Sequence, residues 1–143
     1  MRKALALAFF IGIFLANTSC NSDKKTRFVN NFVHTYFPDT EVIASIKDGF
    51  DYDVRLSDYT MISFDGNLFG KLDWDEVDCR YGNMNTTVPA ALVPDEITNL
   101  VGRLHGDQSI TKIAKDDHGW EITLTNGIEL EFDKRFNLVD MDD

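Results

Sequence analysis

The stretch WEITLTNGIELEFD, residues 120–133, alternates apolar and polar side chains on both sides of an Asn-Gly pair. Alternation with a period of two predicts β-strands that bury one face and expose the other. Asn126 and Gly127 both tolerate the positive φ angles of a type I′ turn, so the pair predicts a tight hairpin. A similar alternation, YDVRLSDYTMISFD, occupies residues 52–65. Both stretches therefore predict antiparallel hairpins with one apolar and one polar face.

Two other segments repeat their apolar residues at helical spacing. The first segment places four apolar residues on one helical face: Val29, Phe32, Val33 and Tyr36. Pro38 ends this predicted helix, because proline disfavours helical backbone in the residue before it. The second predicted helix begins at Pro94, whose ring fixes φ, and its first turn carries the acidic pair Asp95 and Glu96. Gly106 marks its predicted end.

The two halves of the chain match each other, without a gap, at an offset of 68 positions. The identities include Lys47-Asp48 with Lys115-Asp116, and Phe64-Asp65 with Phe132-Asp133. Further strands are predicted in the same order in each half: Val42–Lys47, Leu68–Trp74, Ile110–Lys115 and Phe136–Met141. Because two different periodicities recur in the same order, the pattern indicates two copies of one unit.

The predicted fold is therefore an α+β tandem repeat. Each unit is a helix followed by about four antiparallel strands, and the helices pack on the apolar face of one continuous sheet. The first copy covers residues 26–77 and the second covers residues 94–143. Residues 78–93 link the copies, and the apolar VPAALVP part of this linker is predicted to pack on the sheet. The predicted core is built on five side chains: Tyr52, Phe64, Trp120, Leu124 and Phe132.

The N-terminus has the pattern of an export signal. A basic start, MRK, precedes 13 apolar residues, Ala4–Ala16. This run is shorter than the roughly 20 residues of a membrane-spanning helix and suits a signal peptide. We therefore expect a signal peptide over residues 1–19 and export to the periplasm or outer membrane. The residues after it, 20–25, are predicted to form a polar tether.

The two cysteines indicate whether the exported chain carries a lipid anchor or a disulfide. A small residue directly before Cys20 resembles a bacterial lipoprotein signal and predicts a lipid anchor at Cys20, although Asn17 stands where such signals usually have Leu. Simple cleavage that leaves a free Cys20 is the alternative. With Cys20 lipidated, Cys79 is predicted to be a small buried hydrophobic residue. With Cys20 free, a Cys20–Cys79 disulfide is the alternative.

Several motifs together resemble a known family. They are WDEVDC, then VPAALVP, then GWEITLTNGIELEFD and a closing LVDMDD, with a looser first copy in YFPDTEVIASI and LFGKLDWDEVD. The set is similar to the PepSY-like, β-lactamase-inhibitor-protein-like family of secreted bacterial proteins, over roughly residues 25–143. The resemblance implies a tandem α+β repeat on a continuous antiparallel sheet and implies no catalysis. A role in inhibiting an enzyme would rest on analogy of fold alone.

Charge and motifs exclude several classes of function. The net charge of −10 argues against binding nucleic acid, whose phosphates require a basic face. The acidity is compatible with a cationic protein partner, and the alternative is that it only keeps a small exported domain soluble. No histidine or cysteine spacing suits zinc, and no nucleophile or phosphate-loop motif occurs in the sequence. We therefore expect no enzyme and no cofactor.

The acidic strand ends offer a weaker possibility. Alternation places Asp73 and Asp75 on the same side of a strand, and paired carboxylates can hold Ca²⁺. The sequence contains no calcium-loop motif, so these two residues are only weak metal candidates.

The uncovered sheet face is the predicted binding site. Eight residues are assigned to it: Asp51, Asp53, Arg55, Tyr59, Glu121, Thr123, Glu129 and Glu131. The predicted function is a non-catalytic binding module, secreted or lipid-anchored, that docks or inhibits an envelope or secreted protein through this face. The membrane is expected to be contacted only through the anchor at Cys20. The alternatives are a Ca²⁺- or small-ligand-binding envelope protein that uses the acidic strand ends, and a structural envelope component.

Overall fold

The computed structural model describes residues 20–82 and 85–142, and the side chains from residue 24 onward within the first helix. The predicted signal peptide, residues 1–19, and the predicted lipid attachment at the Cys20 side chain lie outside what is described. Two α-helices, α1 and α2, span Cys20–Tyr36 and Asp95–Leu104. The strands of the first half are β1 (Val42–Asp48), β2 (Asp51–Leu56), β3 (Met61–Gly66) and β4 (Leu72–Asp78). The strands of the second half are β5 (Ile110–Lys115), β6 (Gly119–Leu124), β7 (Glu129–Asp133) and β8 (Leu138–Asp142).

The eight strands form one sheet in which every strand pairs antiparallel with its neighbours in chain order, from β1 to β8. The predicted α+β class with an antiparallel sheet is thus confirmed. Because the strands alternate in direction, the β1–β2 and β3–β4 turns lie at one end of the sheet. The β2–β3 and β6–β7 turns lie at the other end.

The core combines buried apolar side chains of both helices with those of the strands. The ring of Phe32 in α1 lies edge-on to the ring of Phe64 in β3, with 5.3 Å between the ring centroids. Of the five predicted core residues, Phe64, Leu124 and Phe132 are buried. Tyr52 and Trp120 are only partly buried and pack at the edge of the core.

The first helix begins earlier than the apolar spacing indicated. Residues 20–25, predicted as a polar tether, form the first turns of α1. Lys25 is buried there, and its Nζ donates a hydrogen bond to the Phe50 carbonyl oxygen at 2.9 Å. A lysine can bury its methylene chain along an apolar surface and satisfy its charged end on an acceptor. This contact ties the start of α1 to the β1–β2 turn.

The strand predicted at Leu68–Trp74 was placed too early. Residues 67–71 form the β3–β4 turn, and β4 runs on to Asp78. The Asn67 side chain stabilises the turn, because its Oδ1 accepts hydrogen bonds from the backbone N–H groups of Phe69 and Lys71. Leu68 and Phe69 have the apolar character of strand residues, but they lie in this turn.

The two halves share local details at the predicted offset. Strand β1 has a bulge between Val42 and Ala44, and β5 has one between Ile110 and Lys112. In the β2–β3 turn, Leu56 N–H donates to the Thr60 carbonyl oxygen at 2.8 Å. In the β6–β7 turn, the N–H of Leu124 donates to the carbonyl oxygen of residue 128 at 2.9 Å.

The connection between the halves is built into the core. Val88 N–H donates to the Ile110 carbonyl oxygen, and a 3₁₀ turn spans Ala90–Leu92. Val88, Leu92 and Val93 are all buried in the core cluster. Among the described residues, neither helix combines the length and apolarity that crossing a bilayer would require.

Candidate binding face

Along each strand, core residues alternate with residues whose side chains lie on the opposite face of the sheet. On that face, two rows of side chains run across seven strands, β2 to β8. One row contains Asp53, Ser63, Glu76, Ala114, Glu121, Glu131 and Asp140. The next row contains Arg55, Met61, Asp78, Lys112, Thr123, Glu129 and Asp142. We call these two rows the polar face. They contain six of the eight predicted binding residues. Of the other two, Asp51 is the first residue of β2 and Tyr59 lies in the β2–β3 turn.

The centre of the polar face is occupied by an ion-pair network. Lys112 Nζ lies 3.0 Å from Glu121 Oε1 and 3.5 Å from Glu76 Oε2, so one lysine links three strands. Because Glu121 is committed to this internal pair, a partner would have to displace Lys112 to engage it. The sequence did not indicate this network, since Glu76, Lys112 and Glu121 are brought together only by strand register.

Asp78 forms a second internal pair on this face. Asp78 is only 4% exposed. Its carboxylate accepts hydrogen bonds from Nε and Nη2 of Arg80 at 3.0 and 2.7 Å. The Arg80 backbone N–H donates to the same carboxylate at 3.0 Å. A two-pronged guanidinium contact with an added N–H compensates the desolvation of the buried charge. The sequence did not indicate Arg80 as the partner of Asp78, because Arg80 lies in the connection after β4.

Thr123 was wrongly assigned to the accessible surface. It points away from the core, yet it is only 3% exposed, and its hydroxyl has no hydrogen-bond partner among the described residues. In the sheet it lies between Lys112 and Glu129, whose side chains are both longer. Alternation gives the face on which a side chain lies, but not whether longer neighbours leave it accessible.

The β7–β8 end of the face is exposed and acidic. Glu131 lies opposite Asp140, and Glu129 lies opposite Asp142. Like charges directly opposite each other destabilise a sheet, so this arrangement carries a small energetic cost. It also creates a strongly negative surface that attracts cations. Asp51, at the far edge, is exposed but accepts a hydrogen bond from the Gly66 N–H at 3.1 Å.

Tyr59 has an unusual backbone conformation. Its φ is +71°, in the left-handed region that disfavours a side chain, and the matching turn of the second half has Gly127 at φ +89°. The Tyr59 residue is 48% exposed, and the Arg55 guanidinium carbon lies 4.6 Å from its ring centroid. That distance places the cation over the ring face.

A second tyrosine lies beside the same turn. Tyr81 is 64% exposed and has the Arg80 guanidinium 5.9 Å from its ring centroid. Gly82 packs so closely on the β2–β3 turn that a Cβ there would lie 2.9 Å from the Asp58 carbonyl oxygen. This close approach brings the 80–82 segment against the turn. Arg55, Tyr59, Arg80 and Tyr81 together are called the tyrosine–arginine patch.

The two weak metal candidates have different surroundings. Asp73 Oδ2 pairs with Lys115 Nζ at 3.2 Å, and that Nζ lies 4.3 Å from the Trp74 ring centroid. Asp75 lies at a bulge in β4, and its Oδ1 is buried without a hydrogen-bond partner among the described residues. Across residues 20–82 and 85–142, no three histidine, cysteine or acidic side chains are arranged to hold a metal ion.

Asp75 makes the stability of the protein depend on pH. Burial, with smaller contributions from Asp65 and Glu76, raises the pKa of Asp75 to about 6 from an ordinary value of 3.8. The folded protein therefore holds this proton more tightly than the unfolded chain does. The contribution of Asp75 to stability is full below the ordinary pKa and is lost as pH rises through about 6.

We expect Asp75→Asn to raise the free energy of unfolding at neutral pH by about 1 kcal/mol, since the amide needs no proton to be neutral. Because Asp75 is partly solvated, this gain is well below the free energy that the full pKa shift would give. Urea melts at about pH 7.5 and about pH 5 should also show that acidification raises the free energy of unfolding less in Asp75→Asn than in the wild type. Asp107→Asn, with the same charge change at an exposed loop residue, is the control. An equal pH response in all three proteins would contradict the role of Asp75.

Cys79 is not a candidate nucleophile. It has a free thiol and is 2% exposed, as predicted for a small core residue. The alternative disulfide involves the Cys20 side chain, which lies outside what is described. Burial raises the pKa of the Cys79 thiol to about 12, which keeps it protonated at neutral pH.

Comparisons with known proteins agree with this geometry. The family described as "Putative beta-lactamase-inhibitor-like, PepSY-like" matches residues 50–140. A crystal structure of a "putative periplasmic protein" from Bacteroides vulgatus is 37% identical, with a TM-score of 0.67, and the match covers 79% of this chain and 86% of that one. No curated protein matches the chain.

Two further solved structures are similar. A "putative calcium-regulated periplasmic protein" from Bacteroides thetaiotaomicron is 30% identical, with a TM-score of 0.69 and coverage of 82% of this chain and 89% of that one. A second Bacteroides vulgatus protein, described as periplasmic and of unknown function, is 29% identical, with a TM-score of 0.66 and coverage of 80% and 88%. All three are described as periplasmic, which supports an exported location for this chain. The match over residues 50–140 and the 37% identity to a solved relative show that the chain belongs to the PepSY-like, β-lactamase-inhibitor-like family.

Proposed function

We propose that this protein is a non-catalytic, exported binding module that docks an envelope or secreted protein through its polar face, with the tyrosine–arginine patch as the anchor. The observation that carries the proposal is Tyr59. It keeps a large, half-exposed side chain at φ +71°, whereas the matching turn of the second half has a glycine.

Backbone strain of this kind costs of the order of 1–3 kcal/mol and is concentrated at functional sites. An asparagine or glycine would relieve it, so the tyrosine side chain is expected to contribute something that offsets the strain. Tyrosine and arginine are enriched among the residues that dominate binding energy at protein interfaces. Tyr59 and Tyr81, each next to an arginine, supply both residue types within one small area.

The acidic β7–β8 end has a complementary role in the proposal. Exposed charges at the rim of an interface raise the rate of association more than the final affinity. Glu129 and Glu131, with Asp140 and Asp142 opposite them, would attract a partner that carries a basic surface. The Lys112 and Arg80 ion pairs hold the centre of the face in one conformation, because their acceptors are already satisfied.

The proposed architecture behind this face is the tandem repeat, with both helices covering the opposite side of the sheet. The matching bulges and turns at an offset of 68 support the repeat. The Phe32–Phe64 ring contact and the burial of Ile97 and Val101 in the common core support the helix placement. The proposal also includes a cleaved signal peptide, which the apolar run Ala4–Ala16 and the periplasmic relatives favour. It further includes a lipid anchor at Cys20, which the small residue directly before that cysteine favours.

We expect Tyr59→Asn to reduce capture of the partner at least about tenfold, the loss typical of a removed hot-spot side chain. The free energy of unfolding should stay within about 1 kcal/mol of the wild type, because asparagine tolerates the left-handed conformation. The measurement is crosslinking of envelope extract to the wild-type and variant domains, with a urea melt of each.

The matched control reverses charge at the acidic end, in the double variant Glu129→Lys with Glu131→Lys. The patch is supported as the main contact with the partner if Tyr59→Asn loses capture while the control only slows it. Equal capture by the wild type and Tyr59→Asn would show that the patch does not bind. Loss with the control alone would move the site to the acidic end.

A second candidate function is calcium binding, which the calcium-regulated relative favours. Asp75 has a buried carboxylate oxygen without a hydrogen-bond partner among the described residues. Burial is the main cause that raises the pKa of Asp75, and the nearby carboxylates of Asp65, Glu76 and Asp53 add to it. A divalent cation would neutralise this repulsion, although the described side chains do not form a complete ligand set.

If calcium binds there, millimolar CaCl₂ will raise the melting temperature of the wild type and leave that of Asp75→Asn unchanged, while MgCl₂ has a smaller effect on the wild type. Asp107→Asn should respond as the wild type does. No calcium-dependent shift in the wild type, or an equal shift in Asp75→Asn, would exclude this site.

A further inference from the structure

The β3–β4 turn exposes two adjacent apolar side chains. Leu68 is 80% exposed and Phe69 is 95% exposed, the largest values among the large apolar residues described. The neighbouring β1–β2 turn exposes Phe50 at 48%. Single exposed apolar residues are common on soluble proteins, but three at one end of a sheet form a patch that indicates an interaction. We call Phe50, Leu68 and Phe69 the apolar tip.

The apolar tip is held by a defined backbone. Asn67 Oδ1 accepts hydrogen bonds from the N–H groups of Phe69 at 3.0 Å and Lys71 at 3.1 Å, and Gly70 supplies a φ of +77°. The β1–β2 turn packs against the end of β3, directly before this turn, because a Cβ on Gly66 would overlap the Phe50 carbonyl oxygen. The side chains of Leu68 and Phe69 therefore project from a turn that is already ordered before any partner binds.

The start of α1 lies at the same end of the molecule. Lys25 Nζ donates to the Phe50 carbonyl oxygen at 2.9 Å and lies 5.9 Å from the Phe50 ring centroid. The helix begins five residues earlier, at Cys20, which is about 7 Å further along its axis. The proposed lipid anchor is at Cys20, the first residue of this helix. A lipid attached there would join the chain next to the apolar tip.

The charges around the tip restrict the kind of lipid surface that it fits. Asp65 and Asp73 line a recess next to the turn together with Asn67 and Lys71. Lys115 pairs with Asp73 at 3.2 Å, and Lys25 lies against Phe50, so charges of both signs border the tip. Such a border suits zwitterionic headgroups, and the net charge of −10 is repelled by anionic ones.

We infer that the apolar tip inserts into the interfacial region of a zwitterionic lipid bilayer and orients the anchored domain on it. The inference rests on the membrane anchor of the proposed function and adds a second, direct contact with lipid. A lipid chain combined with a second membrane signal holds a protein more firmly than either alone. The tip also sets an orientation, since the tyrosine–arginine patch lies at the opposite end of the strands and would face away from the bilayer.

The test uses the full-length, processed protein in phosphatidylcholine vesicles that contain brominated acyl chains. Bromine quenches an indole only when it enters the bilayer. Two variants are compared: Phe69→Trp at the tip, and Leu104→Trp at an exposed apolar residue that ends α2 near the β6–β7 turn. The emission of the unsubstituted protein, which comes from Trp74 and Trp120, is subtracted from that of each variant. We then expect the fluorescence of the Phe69→Trp indole to be quenched at least twofold more than that of the Leu104→Trp indole. Adding phosphatidylglycerol should reduce the difference.

Vesicle flotation separates the two ways in which the inference can fail. Protein that does not float with the vesicles would show that the anchor is absent and would overturn both proposals about the membrane. Protein that floats with equal quenching in the two variants would keep the anchor and overturn the tip. A Phe69→Trp indole that is blue-shifted but not quenched would show burial against protein and would overturn the assignment to lipid.

Discussion

Replacing Phe64 with alanine is expected to remove about 3–5 kcal/mol of folding free energy, the usual cost of deleting a fully buried phenylalanine. Phe64 is 1% exposed and lies edge-on to two rings of α1, Phe32 at 5.3 Å and Phe28 at 6.0 Å between centroids. Its loss leaves a cavity between α1 and β3 and removes both ring contacts, which add about 0.5–1.5 kcal/mol each. Because a domain of this size has a total stability of roughly 5–15 kcal/mol, the variant should be close to unfolding.

A urea melt that follows far-ultraviolet circular dichroism measures this loss. Phe69→Ala is the matched control, since the same residue type there is almost fully exposed and should change stability by less than about 0.5 kcal/mol. The two phenylalanines thus test burial with an identical chemical change. A cost below about 1 kcal/mol for Phe64→Ala would show that the α1–β3 contact does not stabilise the fold.

The sequence was most informative where one periodicity ran without interruption. The alternation around Asn126-Gly127 predicted β6 and β7 and the turn between them, because each polar and apolar choice agrees with a half-buried hairpin. It failed at Leu68 and Phe69, whose apolar character imitates a strand although Asn67 folds them into a turn. It also ended α1 correctly near Pro38 but missed its first turns, whose stability depends on a distant contact between Lys25 and Phe50.

The binding face was only partly predictable for a related reason. Alternation placed Glu121 and Thr123 on the correct side of the sheet, but their accessibility depends on strands that are distant in sequence. Lys112 reaches Glu121 only because β5 pairs with β6, and the same pairing places it beside Thr123. The strain at Tyr59 is equally hidden, since a tyrosine in a loop reveals nothing of its φ angle. Comparison with Gly127, at an offset of 68, was the one signal in the sequence that could have found it.

Replacing Gly119 with alanine is the second substitution expected to have a large effect, at about 3 kcal/mol or more. Gly119 begins β6 at a φ of +155°, directly opposite Asp133 of β7. A Cβ there would lie 1.9 Å from the Phe132 carbonyl oxygen, which is backbone and cannot rotate away. Either the β6–β7 ladder must open or the strand must shift, and both displace Phe132 from the core. Thermal and urea melts measure the loss.

Gly102→Ala provides the control with the identical chemical change. Gly102 lies within α2, and a Cβ there would meet no atom within 4 Å. Alanine is a better helix former than glycine, so this variant should gain up to about 1 kcal/mol. The opposite signs of the two glycine substitutions separate steric crowding at one backbone position from a general effect of adding a methyl group. If Gly119→Ala melted like the wild type, the close approach of β6 to the Phe132 carbonyl would be wrong, and with it the register that places the polar face.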